Sequence, residues 1–233
     1  MIRSVGVIIP AHDEQDLLPS CLASMHLAIG GIRRSRGLPV RLVVVADACQ
    51  DRTAEVARQA GAVVVSVDAR CVGAARAAGA REVLRRTRHL DPRDVWLATT
   101  DADTLVPARW LREQARYADL GWDAVAGTVR VENWRGHPPG VRSAFAERYD
   151  AGSGPHPHVH GANLGFRAAA YLRAGGFPDV PTGEDHALVP ALHSAGARVL
   201  RTRALPVVTS ARREARAPLG FSHYLAELGT TVT

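Results

Sequence analysis

Residues 94–104 have the sequence Asp94-Val-Trp-Leu-Ala-Thr-Thr-Asp-Ala-Asp-Thr104. The apolar run from Val95 to Ala98 predicts a short buried strand, and two carboxylates, Asp101 and Asp103, follow where that strand ends. In open α/β sheets, ligands bind outside the carboxyl ends of the strands, and hard divalent cations prefer carboxylate oxygens. The pair therefore indicates either a metal site or a turn in which aspartate is favoured.

The first half of the chain alternates short β-branched runs with longer segments of helical periodicity. Apolar residues recur at helical spacing from Leu17 to Met25, and Thr53 is placed to cap a helix that Gly61 would end. This alternation predicts an α/β fold with a doubly wound, mostly parallel sheet flanked by helices. The predicted strands are Val5–Ile9, Leu42–Val45, Ala62–Val67 and Val95–Ala98, and the later helices are Thr53–Gln59, Val72–Arg88 and Pro107–Leu120.

The second half is less regular, and residues 136–160 are rich in glycine, proline and histidine, which favours loops. We find no internal repeat and no linker, so the sequence predicts a single domain over residues 1–233. The predicted strands are Ala124–Val131, Asn163–Phe166, Arg198–Arg201 and Leu205–Val208, and the predicted helices are Val141–Tyr149, Ala168–Ala174, Glu184–Ala195 and Phe221–Leu228.

The composition excludes several classes of protein. No stretch of eighteen apolar residues is present, and we expect no signal peptide. All 29 basic residues are arginine, which excludes lysine-dependent chemistry. The three cysteines, Cys21, Cys49 and Cys71, form no paired motif, so we expect free thiols in a reducing cytosol. The net charge of +6 suits anionic partners such as nucleotide phosphates, an acidic membrane surface or nucleic acid.

Polar residues also follow the first two strands. Pro10 and Glu14 come directly after the first, and Asp47 follows the second. A carboxylate at that edge can accept hydrogen bonds from a nucleotide base or ribose, and we interpret Asp47 in this way. Asp51 and Thr53, farther along the same loop, are more typical of turn and helix-cap positions.

Six motifs occur in an order that resembles the inverting GT-A glycosyltransferases of family two. They are Pro10-x-x-x-Glu14, Asp47 with Asp51, Gly73-x-x-Arg76-x-x-Gly79, Asp101-Ala-Asp103, Gly161-Ala-Asn163-x-x-Phe166-Arg167 and Glu184-Asp185. They extend from residue 5 to about residue 190, most of the chain. The resemblance implies a GT-A fold in which residues 1–105 bind the nucleotide and residues 106–233 bind the acceptor.

The same resemblance implies roles for single residues. Asp103, with Asp101, would hold Mn2+ or Mg2+ against a diphosphate, and Asp101 is an alternative ribose ligand. Asp185 would be the general base, with Glu184 orienting it or binding the acceptor. The remaining expected contacts are Pro10, Ala11, Glu14 and Asp47 with the nucleotide base, Arg76 with the phosphates, and Gly161, Asn163 and Arg167 with the acceptor or donor sugar.

Three departures from the family pattern concern the donor. Asp13 replaces the usual Asn, Ala48-Cys49 replaces Gly-Ser after Asp47, and Cys71 replaces an Asn. The resemblance implies a nucleotide-diphosphate sugar as donor, with a UDP-sugar preferred and a GDP-sugar as the alternative. No Gln-x-x-Arg-Trp is present, which favours single transfer to a hydroxyl-bearing small molecule or lipid over polymer synthesis.

Two stretches have two interpretations each. His156, His158 and His160 alternate along the chain, which fits an exposed acceptor-side loop or a metal site. The stretch Thr209-Ser210-Ala-Arg212-Arg213 suits contact with a diphosphate or acceptor, or else forms a basic surface in contact with water or acidic lipid head groups. His186, His193 and His223 are candidates for a third metal ligand.

Two other classes fit the sequence less well. A sugar nucleotidyltransferase would typically carry a glycine-rich loop and a lysine, and neither is present. Carboxylates clustered at strand ends would repel nucleic acid, and aromatic residues for base stacking are few, so we expect no nucleic-acid partner.

Overall fold

One eight-stranded sheet runs through the computed structural model, which describes residues 1–149, 156–180, 182–212 and 221–232. Its strands within these ranges are β1 (Ser4–Ala11), β2 (Val40–Asp47), β3 (Val63–Val67), β4 (Val95–Thr99), β5 (Thr104–Leu105), β6 (Ala124–Arg130), β7 (Leu164–Arg167) and β8 (Val199–Thr209). They lie side by side in the order β3-β2-β1-β4-β7-β6-β8-β5.

Helices connect and cover these strands. In chain order they are α1 (Leu18–Arg36), α2 (Thr53–Gln59), α3 (Val72–Arg86), α4 (Trp110–Asp119), α5 (Val141–Tyr149), α6 (Ala168–Arg173), α7 (Glu184–Ser194) and α8 (Phe221–Val232). Gly61, Gly121 and Gly196 have positive φ angles just after α2, α4 and α7, as expected for glycines that end helices. Among the described residues, no helix combines the length and apolar character needed to cross a bilayer.

The sheet is mostly parallel in its first half. Strand β1 pairs in parallel with both β2 and β4, and β2 pairs in parallel with β3. Antiparallel β7 then joins β4 to β6, so strands from both predicted halves belong to one sheet. The predicted α/β fold is confirmed.

The core has two layers because successive residues of a strand face opposite sides of the sheet. Val7 and Ile9 of β1 face a layer that contains α1 and α4, whereas Ile8 faces a layer that contains α3, α6 and α7. This arrangement leaves the carboxyl ends of β1, β2 and β4 together at one edge of the sheet, where the candidate site lies.

Several predicted boundaries were wrong. The two predicted strands Arg198–Arg201 and Leu205–Val208 are one strand, β8, with an irregular register opposite Gly127 and Val129. Short β5 was missed, because two residues carry too little periodicity to be detected. Helix α1 extends well past Met25, and α4 begins at Trp110 after a turn at Pro107.

Candidate active site

A cavity of about 700 Å3 opens at the carboxyl edge of the sheet. It brings together most of the site residues that were predicted from the sequence, from both halves of the chain. These are Pro10, Ala11 and Glu14 at the end of β1, Asp47 at the end of β2, Arg76 on α3, Asp101 and Asp103 after β4, and Gly161, Glu184 and Asp185 on the opposite wall.

Arg76 is a buried cation at the centre of this site. Its Nε donates to Thr99 Oγ1 at 3.1 Å, and its two terminal nitrogens form ion pairs with Asp101 and Glu184. The backbone of Gly161 packs against the guanidinium, where a Cβ atom would overlap it. Arg76 therefore fixes one oxygen of Asp101 and links the end of β4 to α7.

Glu184 does not have the exposed position expected of an acceptor-binding residue. Its side chain is only 3% exposed and is paired with Arg76. A buried carboxylate paired with a guanidinium has little freedom to move. The structure therefore makes Glu184 a positioning residue for Arg76, which corrects the predicted contact with the acceptor.

Asp47 is held by the loop that precedes α3. Its carboxylate accepts hydrogen bonds from the backbone amides of Ala69, Arg70 and Cys71 at 2.8–2.9 Å. Asp47 thus shapes this wall of the cavity, and its contact with a nucleotide base stays a prediction. Ala48, the neighbouring residue, adopts a φ of 50°, a left-handed conformation that glycine adopts at lower cost.

Glu14, Asp101 and Asp103 form a cluster of carboxylates that shares a second guanidinium, that of Arg212. Arg212 Nη1 lies 2.5 Å from Glu14 Oε1, and its Nη2 lies 3.1 Å from Asp103 Oδ2. Burial raises the pKa of Asp103 to about 6, and the nearby carboxylates of Asp101 and Glu14 act in the same direction, whereas Arg212 opposes them.

The carboxylate cluster offers the type of ligand atom that a divalent cation prefers. Oxygen ligands from Asp101, Asp103 and Glu14 are the type that Mg2+ and Mn2+ accept. The Arg212 guanidinium already occupies a cationic position between two of them, so the cluster attracts positive charge. Asp101 and Asp103 are the residues that would hold the ion.

A different group of ligand atoms, from Asp13, Cys49 and Asp51, lies within 4.8 Å of one another. Asp13 accepts from Gln50 N, Asp51 accepts from Thr53 N, and Cys49 donates to a backbone carbonyl. These atoms already cross-link the loops after β1 and β2, so we do not assign a metal to them.

Asp185 stands on the opposite wall, in the first turn of α7. Its Oδ2 accepts from Gly161 N at 2.6 Å, and its Oδ1 accepts from His186 N at 2.8 Å. Both hydrogen bonds come from backbone amides, so they orient the carboxylate while leaving further lone pairs available. The carboxylate lines the cavity and is only partly buried.

The three alternating histidines are not an exposed loop, and this prediction was wrong. His156 is fully buried, and the rings of His156, His158 and His160 are stacked about 6 Å apart. Their Nε2 atoms bind different oxygens: Ala126 O and Thr202 O for His156, Tyr149 O for His158 and the Tyr149 hydroxyl for His160. They do not converge on one metal ion.

Two other sequence predictions do not reach the cavity. Asn163 is buried and uses its amide to accept from Trp110 Nε1 and to donate to Thr128 O and Leu205 O. Arg167 pairs with Trp96 at the start of β4, at the far edge of the sheet, and donates to Arg93 O and Ala118 O. Neither side chain is available to a sugar, because both hold backbone segments together.

The candidate third metal ligands differ in their positions. His186 lines the cavity next to Asp185, whereas His223 is exposed on α8 and lies 3.3 Å from Glu227. His193 is exposed near the end of α7 and outside the cavity lining. In the basic segment from Arg212 to Arg216, the structure describes Arg212, and residues 213–216 lie outside the described part of the chain.

An aromatic wall beside Asp185 was not predicted from the sequence. Tyr149, Phe221 and Tyr224 line the cavity together with His158 and His160. The Tyr149 ring stacks on His158 with centroids 4.0 Å apart. The alternation of the histidines could have indicated this wall, because alternate side chains lie on one face of an extended segment.

Comparison with known proteins identifies the family. Residues 6–173 match the model of glycosyl transferase family 2, which is most of the chain. The chain belongs to this family. A comparison with curated protein sequences found no match.

Solved structures of glycosyltransferases share the fold. S. aureus TarS 1–349 in complex with UDP-GlcNAc aligns with a TM-score of 0.64 and 14% identity, over 98% of this chain and 66% of TarS 1–349. The mannosyltransferase PcManGT from Pyrobaculum calidifontis, in complex with GDP-Man and Mn2+, gives 0.62 and 20%, over 97% of this chain and 69% of that one.

A third similar structure is glucosyl-3-phosphoglycerate synthase from Mycobacterium tuberculosis in complex with Mn2+, UDP and glucosyl-3-phosphoglycerate. It aligns with a TM-score of 0.52 and 18% identity, over 99% of this chain and 77% of that one. In a second structure of S. aureus TarS 1–349, this chain spans 60% of the other chain's length. At such identities the likeness concerns the fold alone.

Proposed function

We propose that this chain is a metal-dependent, inverting glycosyltransferase. It would transfer a sugar from a nucleotide-diphosphate donor to a hydroxyl group of an acceptor, with Asp185 as the general base. Its membership of glycosyl transferase family 2 supports the reaction class. The observation that carries the proposal is the placement of Asp103, Arg76 and Asp185 around one cavity.

The donor side of the cavity suits a diphosphate leaving group. When the sugar leaves, negative charge develops on the phosphate oxygen, and it must be stabilised. A bound Mn2+ or Mg2+ would supply Lewis-acid stabilisation of that charge. Arg76 and Arg212 can add charge-assisted hydrogen bonds, because each presents a guanidinium within the carboxylate cluster.

The opposite side suits an attacking hydroxyl. In an inverting transfer, the acceptor oxygen bonds to the anomeric carbon, the bond from that carbon to the phosphate oxygen breaks, and the hydroxyl proton goes to a base. Asp185 is fixed by the amides of Gly161 and His186 and still lines the cavity, so it can accept this proton. Tyr149, Phe221 and Tyr224 offer an amphipathic wall for a small-molecule or lipid acceptor.

The donor nucleotide is proposed to be UDP, with GDP as the alternative. Two similar structures are complexes with UDP-GlcNAc and with GDP-Man, so both nucleotides suit this fold. The wall that would meet the base is made by Pro10, Ala11 and Asp47.

A thermal-shift screen tests the proposal. The protein would be heated with each nucleoside diphosphate and each common nucleotide sugar, with Mn2+ and with EDTA. We expect one nucleotide to raise the melting temperature when Mn2+ is present, since ligand that binds only the folded state stabilises it. Asp103→Asn should abolish this shift. No stabilisation by any nucleotide would contradict the proposal.

A further inference from the structure

Arg212 pairs with two carboxylates of the cluster that is proposed to hold a divalent cation. Its guanidinium bridges Glu14 Oε1 at 2.5 Å and Asp103 Oδ2 at 3.1 Å, and its side chain is 24% exposed. Both carboxylates are buried, with side chains that are less than 10% exposed. A cation that binds Asp103 Oδ2 would lie next to the guanidinium, and two positive charges at that distance repel.

The position of Arg212 is fixed by the sheet. Thr104 of β5 pairs with Thr209 of β8, and their hydroxyl groups are 3.0 Å apart. His137 Nε2 lies 2.6 Å from Ala211 O, and Arg212 N donates to Ser210 Oγ at 3.2 Å. Because β5 begins directly after Asp103 and antiparallel β8 ends at Thr209, the segment that follows Thr209 passes near Asp103, and the long side chain of Arg212 reaches its carboxylate.

The charges of the cluster explain why the guanidinium is held there. Glu14, Asp101, Asp103 and Glu184 face two guanidiniums, those of Arg76 and Arg212, which leaves two negative charges in excess. Arg76 is buried among Thr99, Asp101 and Glu184 and is not free to leave. Arg212 is the more exposed of the two and is attached to the end of β8, so it is the cation that can be exchanged.

We infer that the Arg212 guanidinium occupies the proposed cation position until donor and cation bind together. A metal ion alone must displace or repel the guanidinium and therefore binds weakly. A nucleotide diphosphate brings negative charge that both cations can share, so Arg212 can exchange Asp103 for a phosphate oxygen. Metal and nucleotide then favour each other's binding, and the coupling is reciprocal.

This inference rests on the proposed metal role of Asp103, and direct binding of Mn2+ tests it without any activity assay. Mn2+ would be titrated into each protein at pH 8, with and without UDP, and electron paramagnetic resonance would measure the Mn2+ that stays free. The proteins are the wild type, Arg212→Gln, Arg212→Lys and Asp103→Asn. Arg116→Gln is the matched control, because Arg116 is an exposed arginine paired with Glu113 on α4, outside the cavity.

We expect Arg212→Gln to bind Mn2+ alone about tenfold more tightly than the wild type, and the enhancement of Mn2+ binding by UDP to shrink by a similar factor. Arg212→Lys keeps the positive charge but lacks a guanidinium that contacts two carboxylates at once. Its affinity for Mn2+ alone should therefore stay within about threefold of the wild type. Arg116→Gln should match the wild type, which would separate the local effect from the change in net charge.

The outcomes distinguish the proposed metal site at Asp103 from the inferred role of Arg212. If Asp103→Asn abolishes Mn2+ binding but Arg212→Gln binds Mn2+ as weakly as the wild type or more weakly, the metal site stands and the role of Arg212 is refuted. If neither the wild type nor any variant binds Mn2+, with or without UDP, the proposed metal role of Asp103 and the inference about Arg212 are both refuted. Should Arg212→Gln not fold, an Arg212→Lys protein with Mn2+ affinity raised tenfold would equally refute the inference.

Discussion

Arg76 on α3 and Glu184 on α7 form an ion pair in which both side chains are almost completely buried. The pair connects the helix that borders the donor side of the cavity to the helix that carries Asp185. Since the same guanidinium also binds Asp101, the proposed metal ligand and the proposed base are positioned through one residue. Perturbing this pair should therefore affect both stability and the geometry of the site.

Replacing Glu184 with Gln should destabilise the protein strongly. The substitution leaves the buried Arg76 charge without one of its partners, and breaking a buried pair costs about 3–5 kcal/mol. Urea unfolding measures the loss. Glu82→Gln is the control, because Glu82 forms its pairs with Arg85 and Arg86 at the surface, where such pairs contribute roughly 1 kcal/mol or less. Equal effects of the two substitutions would disprove a special role for the buried pair.

Replacing Asp185 with Asn should reduce transfer by about 10²–10⁴-fold while nucleotide binding is retained. Asp185 accepts from Gly161 N and His186 N on separate oxygens. The single amide oxygen of the variant can keep one of these hydrogen bonds, and the amide cannot take a proton from the acceptor. Release of the nucleoside diphosphate from the donor measures turnover, and calorimetry measures binding. Asp16→Asn is the control, because Asp16 is exposed and outside the cavity lining. Unchanged turnover in Asp185→Asn would rule out its role as base.

Gly161→Ala should weaken nucleotide binding by displacing Arg76. A Cβ atom at this position overlaps the guanidinium, which has no room to retreat among Thr99, Asp101 and Glu184. Overpacking of this kind costs about 1–3 kcal/mol. Gly229→Ala on α8 is the control, since within the described part of the chain an added Cβ would have its nearest heavy atom at 3.7 Å. Wild-type affinity and stability in Gly161→Ala would show that Arg76 is not held as described.

His160 should be neutral at pH 7 and should lower stability in acid. Burial lowers the pKa of His160 to about 4 from its ordinary 6.5. The unfolded chain therefore binds a proton between pH 6.5 and 4 that the folded protein does not, so the free energy of unfolding falls as the pH is lowered through this range. NMR titration of the imidazole measures the pKa directly.

The His160→Gln variant isolates this effect. Asp103 contributes in the opposite direction, because its raised pKa favours the folded state as pH falls from about 6, and both proteins retain Asp103. The difference in unfolding free energy between wild type and His160→Gln should thus change between pH 7 and pH 4. A difference that stays constant over this range would show that His160 titrates normally.

The sequence was sufficient to predict features that depend on local patterns. The apolar run before Asp101 predicted β4, and the carboxylates at the ends of successive strands predicted the edge where the cavity lies. The motifs with Arg76 and Asp185 indicated the family, and the match over residues 6–173 confirms it.

Features that depend on long-range pairing could not be predicted from the sequence. Arg212 reaches Asp103 only because Thr104 pairs with Thr209, which is 105 residues away along the chain. Glu184 and Asn163 have polar side chains typical of binding sites, but their burial depends on partners from other elements. Residue type alone does not distinguish a side chain that binds a ligand from one that supports the backbone or a neighbouring side chain.

Calorimetric titration of UDP into the protein, with Mn2+ and with EDTA, decides whether nucleotide binding depends on a metal ion. We expect Mn2+ to increase the affinity for UDP by about tenfold or more, and Asp103→Asn to remove the increase. GDP would be titrated in parallel, because it is the alternative nucleotide. Equal affinity with and without Mn2+ for both nucleotides, or no binding of either, would contradict the proposal of a metal-dependent nucleotide-sugar site.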